Sequence, residues 1–127
     1  MPKKFTNPLN LVLIYPKSYC GACIDLDLPI LKEISKMYPS VINVADNGID
    51  YNMISLIDEN SENVSLVSFS NTGISERVLQ VDLPIIYLVD FNGQIILKYQ
   101  SVFGNVENHK TFFEKVLSLL SITYSVN

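Results

Sequence analysis

Cys20 and Cys23 are the only cysteines of the 127-residue chain, and Gly21 and Ala22 separate them in a C-x-x-C motif. Such a pair can exchange disulfides or supply half of a metal site. A tetrahedral zinc site needs two further ligands, but there is no third cysteine, and the single histidine, His109, lies near the other end of the sequence. Two cysteines are also too few for the disulfide framework of a small secreted protein. We therefore expect dithiol chemistry that requires no metal ion and no organic cofactor.

The elements on either side of the motif determine how reactive its cysteines are. Residues 9–15 form a continuous apolar run, which predicts a central strand covered on both faces. From Cys23 onward apolar residues recur every three or four positions, which predicts a helix that is kinked at Pro29 and stopped by Pro39. Cys20 then lies at the amino end of a helix, where the helix dipole lowers the thiol pKa below its free value of about 8.5. We expect Cys20 to attack a partner's disulfide, and Cys23, one turn further along and more covered, to resolve the mixed disulfide.

The remaining segments complete an α/β pattern, which we interpret as a single domain over residues 1–127. Helical crossovers make their flanking strands parallel, whereas the Asn92-Gly93 pair predicts a type I′ hairpin and one antiparallel pair. The expected fold class is therefore α/β, with a mixed central β-sheet and helices on both faces. Further strands are predicted at 41–45, 64–69 (towards an edge), 85–89 and 94–99, and further helices at about 50–59, 74–81 and 105–121, the last capped by Asn105 or Asn108.

The motifs together resemble those of the thioredoxin-like superfamily over about 9–120. A predicted helix-strand insertion at about 50–69 resembles the TlpA/ResA type of thiol-disulfide oxidoreductase and the related peroxiredoxin-like proteins. The resemblance implies a thioredoxin-like fold and disulfide exchange with protein partners. It is carried by YCGAC at 19–23, by Asp82-Leu83-Pro84 before a strand, and by VDFNGQII at 89–96.

The resemblance also implies roles for residues around the cysteines. In that family a cis proline packs against the C-x-x-C motif, and Pro84 is the matching residue. The backbone of Leu83 would bind an extended segment of the partner, as in strand addition. Tyr19 takes the place of a common tryptophan, and Gly21-Ala22 helps to set the redox potential. The implied substrate-binding residues are Tyr19, Gly21, Ala22, Leu83 and Pro84.

One departure from the family pattern motivates a second hypothesis. Thioredoxin uses a buried acid near its second cysteine for proton transfer, and the matching position here is about Ile14, which cannot titrate. Asp25 and Asp27 are expected to be solvated, and His109 is expected at the surface. The chain could therefore be a thioredoxin-fold binding or chaperone-like module with little redox turnover.

Composition limits the partners. The formal net charge of −4, the pI near 4.8 and the absence of a basic run beyond Lys3-Lys4 disfavour nucleic acid and anionic membranes. Peroxidase chemistry is disfavoured because Pro16 and Ser18 do not match the peroxiredoxin spacing, and because Arg77, the only arginine, lies in the segment before Pro84 and is expected to be solvated at the surface. We expect a monomer that exchanges disulfides with protein substrates and with a redox-recycling partner. TlpA/ResA-type proteins usually act outside the cytoplasm, whereas the sequence shows no export signal, so a periplasmic or extracytoplasmic and a cytoplasmic location both stay open.

Overall fold

The apolar run before the C-x-x-C motif forms the central strand. The computed structural model describes residues 5, 7–14, 21–46, 56–58, 62–68, 85–100 and 106–124, with the backbone alone at 21–24, 46, 66 and 68. β1 spans Leu9–Ile14, and all six of its residues are buried. A strand buried on both faces needs apolar side chains at successive positions instead of alternate ones. The predicted central, covered strand is confirmed over these six residues.

The sheet has five strands in the order β3-β2-β1-β4-β5. β1, β2 and β3 are parallel to one another, whereas β4 is antiparallel to β1 and to β5. The predicted mixed sheet is therefore confirmed. So is the edge position of β3, which belongs to the predicted insertion and extends the sheet beyond β2. The other strands are β2 (Ile42–Asp46), β3 (Val64–Ser68), β4 (Ile85–Asp90) and β5 (Ile95–Gln100).

Two long helices are described, α1 (Gly21–Met37) and α2 (Val106–Tyr124). Pro29 lies inside α1 at an exposed position and cannot donate the helical hydrogen bond to the carbonyl of Asp25. The helix nevertheless continues for two further turns, and the kink expected at Pro29 stays a prediction. α2 begins before Asn108, so Asn108 is not its N-cap, and the other candidate, Asn105, lies outside the described residues.

Both helices pack against the same face of the sheet. Leu31 and Ile34 of α1 join Phe113 and Val116 of α2 in one core cluster with the odd-numbered residues of β1. Val12 and Ile14 point to the other face, where a second buried cluster contains no residue of either helix. Within the described ranges, therefore, long helices lie on one face only. The prediction of helices on both faces depends on 47–55 and 69–84, which lie outside the described residues.

Part of the helix predicted at 50–59 is described. Leu56 and Ile57 have helical backbone, and Ile57 is buried in the cluster that contains α1 and α2. The helix predicted at 74–81 lies wholly outside the described residues. No helix in the described part of the chain is long and apolar enough to cross a membrane.

The hairpin between β4 and β5 differs from the predicted type I′ turn. That turn requires positive φ at both central residues, but only Gly93 has one in this hairpin, with φ of 84°. The Gly93 amide donates to the Asp90 carbonyl at 2.9 Å, and Asp90 Oδ1 accepts from the amides of Asn92 and Gln94 at 2.9 Å each. This is a type I turn followed by a left-handed glycine. The Asp90 carboxylate stabilises it by satisfying two backbone donors of the loop.

Replacing Gly93 should weaken the hairpin without changing the fold. A side chain at φ of 84° is strained, so Gly93→Ala is expected to lower the free energy of unfolding by about 1 kcal/mol. Asparagine tolerates this backbone region better, so Gly93→Asn should lose less. Urea unfolding of both variants measures the difference. Equal stability of wild type and Gly93→Ala would contradict the described turn.

Candidate functional site

The predicted site lies at the end of the sheet where β1 stops and β4 starts. Ile14, the last residue of β1, is the pairing partner of Ile85, the first residue of β4. Cys20 follows Ile14 by six positions, and Pro84 directly precedes Ile85 in the sequence. The register of these two strands therefore brings the chain positions that flank the predicted site to one end of the central ladder.

Much of the predicted site itself lies outside the described residues. Tyr19, Cys20, Leu83 and Pro84 belong to this group. The cis peptide bond at Pro84, the lowered pKa of Cys20 and the substrate contacts of these residues stay predictions.

The second half of the C-x-x-C motif forms the first turn of α1. Gly21, Ala22 and Cys23 have helical backbone, and α1 begins at the residue after Cys20. Backbone amides of a first helical turn have no intrahelical acceptor and point towards the amino end of the helix. No acidic side chain lies in this first turn to offset the positive end of the dipole. A negative charge just before Gly21 would therefore be stabilised.

Asp27 is fully buried, which corrects the expectation that it is solvated. Its exposed fraction is 0%, whereas Asp25 is exposed as expected. Asp27 follows Cys23 by four positions in the sequence of α1, which is about one helical turn. The described part of α1 therefore carries a buried acid one turn after the second cysteine of the motif.

His109 also differs from its predicted surface position. Its side chain is 16% exposed, and Nε2 lies 3.4 Å from Asp27 Oδ1. The contact pairs two ionisable groups, but its geometry is not that of a hydrogen bond. The hydroxyl of Tyr99, in β5, donates a long hydrogen bond of 3.4 Å to the same oxygen. Three elements, α1, β5 and α2, therefore meet at one carboxylate oxygen.

Aromatic rings surround this meeting point. The ring centroid of His109 lies 4.9 Å from that of Phe113, and the Tyr99 ring stacks on Phe112 at 5.0 Å. Phe112 and Phe113 also contact each other edge to face at 5.0 Å. Aromatic rings leave little polarisable solvent around the carboxylate, which strengthens its electrostatic interaction with His109 and Tyr99. Tyr99 lies in the strand predicted at 94–99, which the structure confirms as β5, and its side chain is buried, with 4% exposure.

A periodicity signal for both misplaced residues was present in the sequence. Asp27 precedes the buried residues Leu31 and Ile34 by four and seven positions, which puts it on the buried stripe of α1. His109 precedes Phe113 and Val116 by four and seven positions in the same way. The polarity of these two residues predicts exposure, whereas their helical spacing predicts burial. The structure agrees with the spacing.

The fold also changes one argument against a metal site. His109 was excluded as a ligand because it is distant in sequence, but it contacts Asp27 on the helix that carries Cys23. The part of the chain with described side chains holds no group of three or more potential metal ligands, and both cysteine side chains lie outside it. The expectation that no metal is bound now depends only on the presence of two cysteines where a tetrahedral site needs four ligands.

No protein-family model matches the chain, and no curated protein matches it significantly.

Proposed function

We propose that this protein is a thiol-disulfide oxidoreductase with a thioredoxin-like fold of the TlpA/ResA type, which exchanges disulfides with protein partners through Cys20 and Cys23. The observation that carries the proposal is that α1 begins at Gly21, between the two cysteines and soon after the central strand. A thiol at that junction has unpaired amides and the positive helix end beside it, which favours its reactive thiolate form.

The sheet supports the fold part of the proposal. Strand β1 lies at the centre, with parallel strands on one side and an antiparallel hairpin on the other, and α1 and α2 pack on one face. In this arrangement Ile85 pairs with the end of β1, so the sequence position of Pro84 adjoins the strand end that leads to Cys20. A proline there could line a groove for an extended segment of the partner, as the family resemblance implies.

The proposed reaction consists of two exchange steps. The Cys20 thiolate attacks a disulfide of the partner, a mixed disulfide forms, and one partner sulfur leaves as a thiolate. Cys23 then loses its proton and attacks the sulfur of Cys20, which releases the second partner sulfur. The partner gains two electrons, and the Cys20–Cys23 pair is oxidised to a disulfide. A recycling partner restores the dithiol by the reverse exchange, and the reduction potential sets the net direction.

Burial of Asp27 weakens the alternative of a binding module without turnover. That alternative arose because Ile14 occupies the position of the buried acid, and Ile14 is indeed an apolar residue in the core. A buried carboxylate one turn after Cys23 removes the reason to expect a loss of proton transfer. We therefore favour the redox function over the binding module.

Cys20→Ser tests the proposal directly. The variant is expected to lose the reduction of insulin disulfides, because a serine hydroxyl does not form an attacking thiolate. Insulin precipitation in the presence of dithiothreitol measures the rate, with wild type and a no-protein blank as references. A Cys20→Ser protein that works at the wild-type rate would overturn the assignment. Titration of wild-type Cys20 alkylation with pH checks the thiolate, and an ordinary thiol pKa with negligible exchange would favour the binding module.

A further inference from the structure

β5 is the last strand on one side of the described sheet, and a groove of about 390 Å³ lies between it and α2. Residues 97–100 of β5 form one wall of this β5 groove, and the other wall consists of Asn108, Thr111, Phe112 and Lys115 of α2. These α2 positions form one stripe of the helix. Three strand steps of about 3.4 Å and seven helical steps of about 1.5 Å make both walls about 10 Å long. The β5 groove can therefore hold about four residues of an extended chain.

The backbone of β5 is oriented for pairing with a further strand. The Asp90 amide of β4 donates across the hairpin at 3.0 Å, so Asp90 faces β5. Every second residue of β4 faces the same way, and these residues are the pairing partners of Leu97 and Tyr99. The N–H and C=O groups of Lys98 and Gln100 therefore point away from β4, towards the side on which no further described strand lies. An extended chain in the β5 groove can form hydrogen bonds with these groups.

A β-bulge limits the regular part of this strand edge. The register between β4 and β5 shifts because Ile96 is an extra residue between the partners of Leu88 and Val89. Regular pairing geometry is therefore confined to 97–100, which are the same residues that line the β5 groove. Ile95 and Ile96 lie just beyond the groove and are 51% and 44% exposed. They offer an apolar contact to a segment that extends past the bulge.

Two lysines give the β5 groove a positive charge. Lys98 and Lys115 are exposed and line it from different elements, and none of the described residues that line it is acidic. Lys98 pairs with Tyr87, which belongs to the core cluster on the face away from the helices, so the Lys98 side chain is on that face. Lys115 lies on the face that the helices cover. Because the whole chain carries a net charge of −4, this surface is opposite in sign to the average of the molecule.

We propose that the β5 groove binds an extended acidic segment of a partner protein, which pairs with β5 as an additional strand. Successive side chains of a strand point to opposite faces, so two consecutive acidic residues can reach Lys115 on one face and Lys98 on the other. The same lysines disfavour a second copy of this chain, because pairing of two β5 edges would put the Lys98 side chains of both copies on neighbouring strands. This inference does not depend on the proposed redox function.

Hydrogen exchange in the free protein tests the strand edge. In protein labelled with nitrogen-15, the ladder with β4 should protect the amides of Leu97 and Tyr99, and the amides of Lys98 and Gln100 should exchange at least about tenfold faster. Equal protection of all four amides would mean that another part of the chain, or a second copy, already covers this edge. That result would overturn the proposal.

A synthetic peptide tests the occupant. The acetylated and amidated peptide Thr-Val-Glu-Glu-Val-Thr should shift the amide signals of 97–100 and slow the exchange of the Lys98 and Gln100 amides. The same peptide with lysine in place of both glutamates should bind at least about tenfold more weakly, and added salt should weaken the acidic peptide. An acidic peptide that is N-methylated at alternate residues keeps its charge but loses the amides for strand pairing, so it should lose binding as well. Equal binding of the methylated peptide would overturn strand addition, because charge alone would then explain the binding.

Charge reversal in the protein provides matched variants. Lys98→Glu and Lys115→Glu should each weaken the acidic peptide at least about fivefold. Lys110→Glu reverses an exposed lysine of α2 that is not among the residues of the groove, and it should bind as wild type does. Equal binding by all three variants would contradict the site.

Lys98→Pro tests the backbone contact at the same position. It removes an amide that does not pair with β4, and proline is tolerated at such edge positions, so the variant is expected to fold. It should bind the acidic peptide more weakly than Lys98→Thr, which loses the same charge but keeps the amide. Equal binding of these two variants would overturn strand addition. If Lys98→Pro does not fold, the methylated peptide and the comparison of Lys115→Glu with Lys110→Glu decide the question.

Discussion

Cys23→Ser is expected to trap the disulfide partner covalently on Cys20. The first attack needs only the Cys20 thiolate, whereas release needs a second sulfur on the same molecule. With Cys23 replaced by serine, the mixed disulfide should accumulate to nearly one partner per protein, and multiple turnovers should fall to the blank rate. Incubation of the reduced variant with an oxidised disulfide peptide, followed by non-reducing mass spectrometry, measures the adduct directly.

Two variants control the trapping experiment. Under the proposed roles, in which Cys23 resolves and Cys20 attacks, Cys20→Ser should form little adduct, and the double variant should form none. If Cys20→Ser traps the peptide as efficiently as Cys23→Ser does, the roles of the two cysteines are reversed. Absence of any adduct with Cys23→Ser would contradict the proposed reaction itself.

Leu13→Ala should destabilise the whole domain, because Leu13 lies in the middle of the sheet. Its side chain is 0% exposed, and its pairing partners are Val44 in β2 and Ile86 in β4. Removing a fully buried leucine side chain leaves a cavity, and the expected loss is about 2–5 kcal/mol of unfolding free energy. For a domain of ordinary stability this is a large fraction of the total. Guanidinium unfolding measures the change as a lower midpoint.

Leu56→Ala is the matched control for this variant. It removes the same atoms from a side chain that is 46% exposed. Little transfer free energy is lost there, so the midpoint should stay within about 0.5 kcal/mol of wild type. Equal effects of the two substitutions would contradict the described core. Because β1 leads to the segment with Cys20, Leu13→Ala should also lower activity at temperatures near its unfolding midpoint.

The main elements of the fold were predictable because local periodicity determines them. The apolar run of β1 is unbroken because this strand is buried on both faces. Apolar residues recur every three or four positions in α1 because this helix is buried on one face. The hairpin position was predictable from Asn92-Gly93, but its turn type was not. The Asp90 carboxylate, two residues before that pair, accepts loop amides and selects a type I turn. Side-chain capping of this kind depends on three-dimensional geometry more than on pair preferences.

The candidate site was predictable only where chemistry and spacing coincide. The C-x-x-C motif by itself indicates dithiol chemistry. That α1 begins inside this motif was predictable from the apolar strand before it and the helical spacing after it. The contact of Asp27 with His109 joins positions that are remote in sequence, and it depends on how α1, α2 and β5 pack. A polar residue at a buried position of a helix pattern indicates a buried polar contact, but only the tertiary structure shows which residue is its partner.

The ladder between β1 and β4 also affects when the protein can begin to work during its synthesis. Its Ile14–Ile85 pair closes a loop of about 70 residues, and contacts of such long range tend to form late in folding. The ribosome releases both cysteines well before it makes β4, so an oxidant can meet them in a chain that is still unfinished. A disulfide between Cys20 and Cys23 closes only a very short loop and leaves the later strand pairing free. The nascent chain can therefore be oxidised early and still complete its sheet, and the partner recognition that we propose for Leu83 and Pro84 would be acquired last.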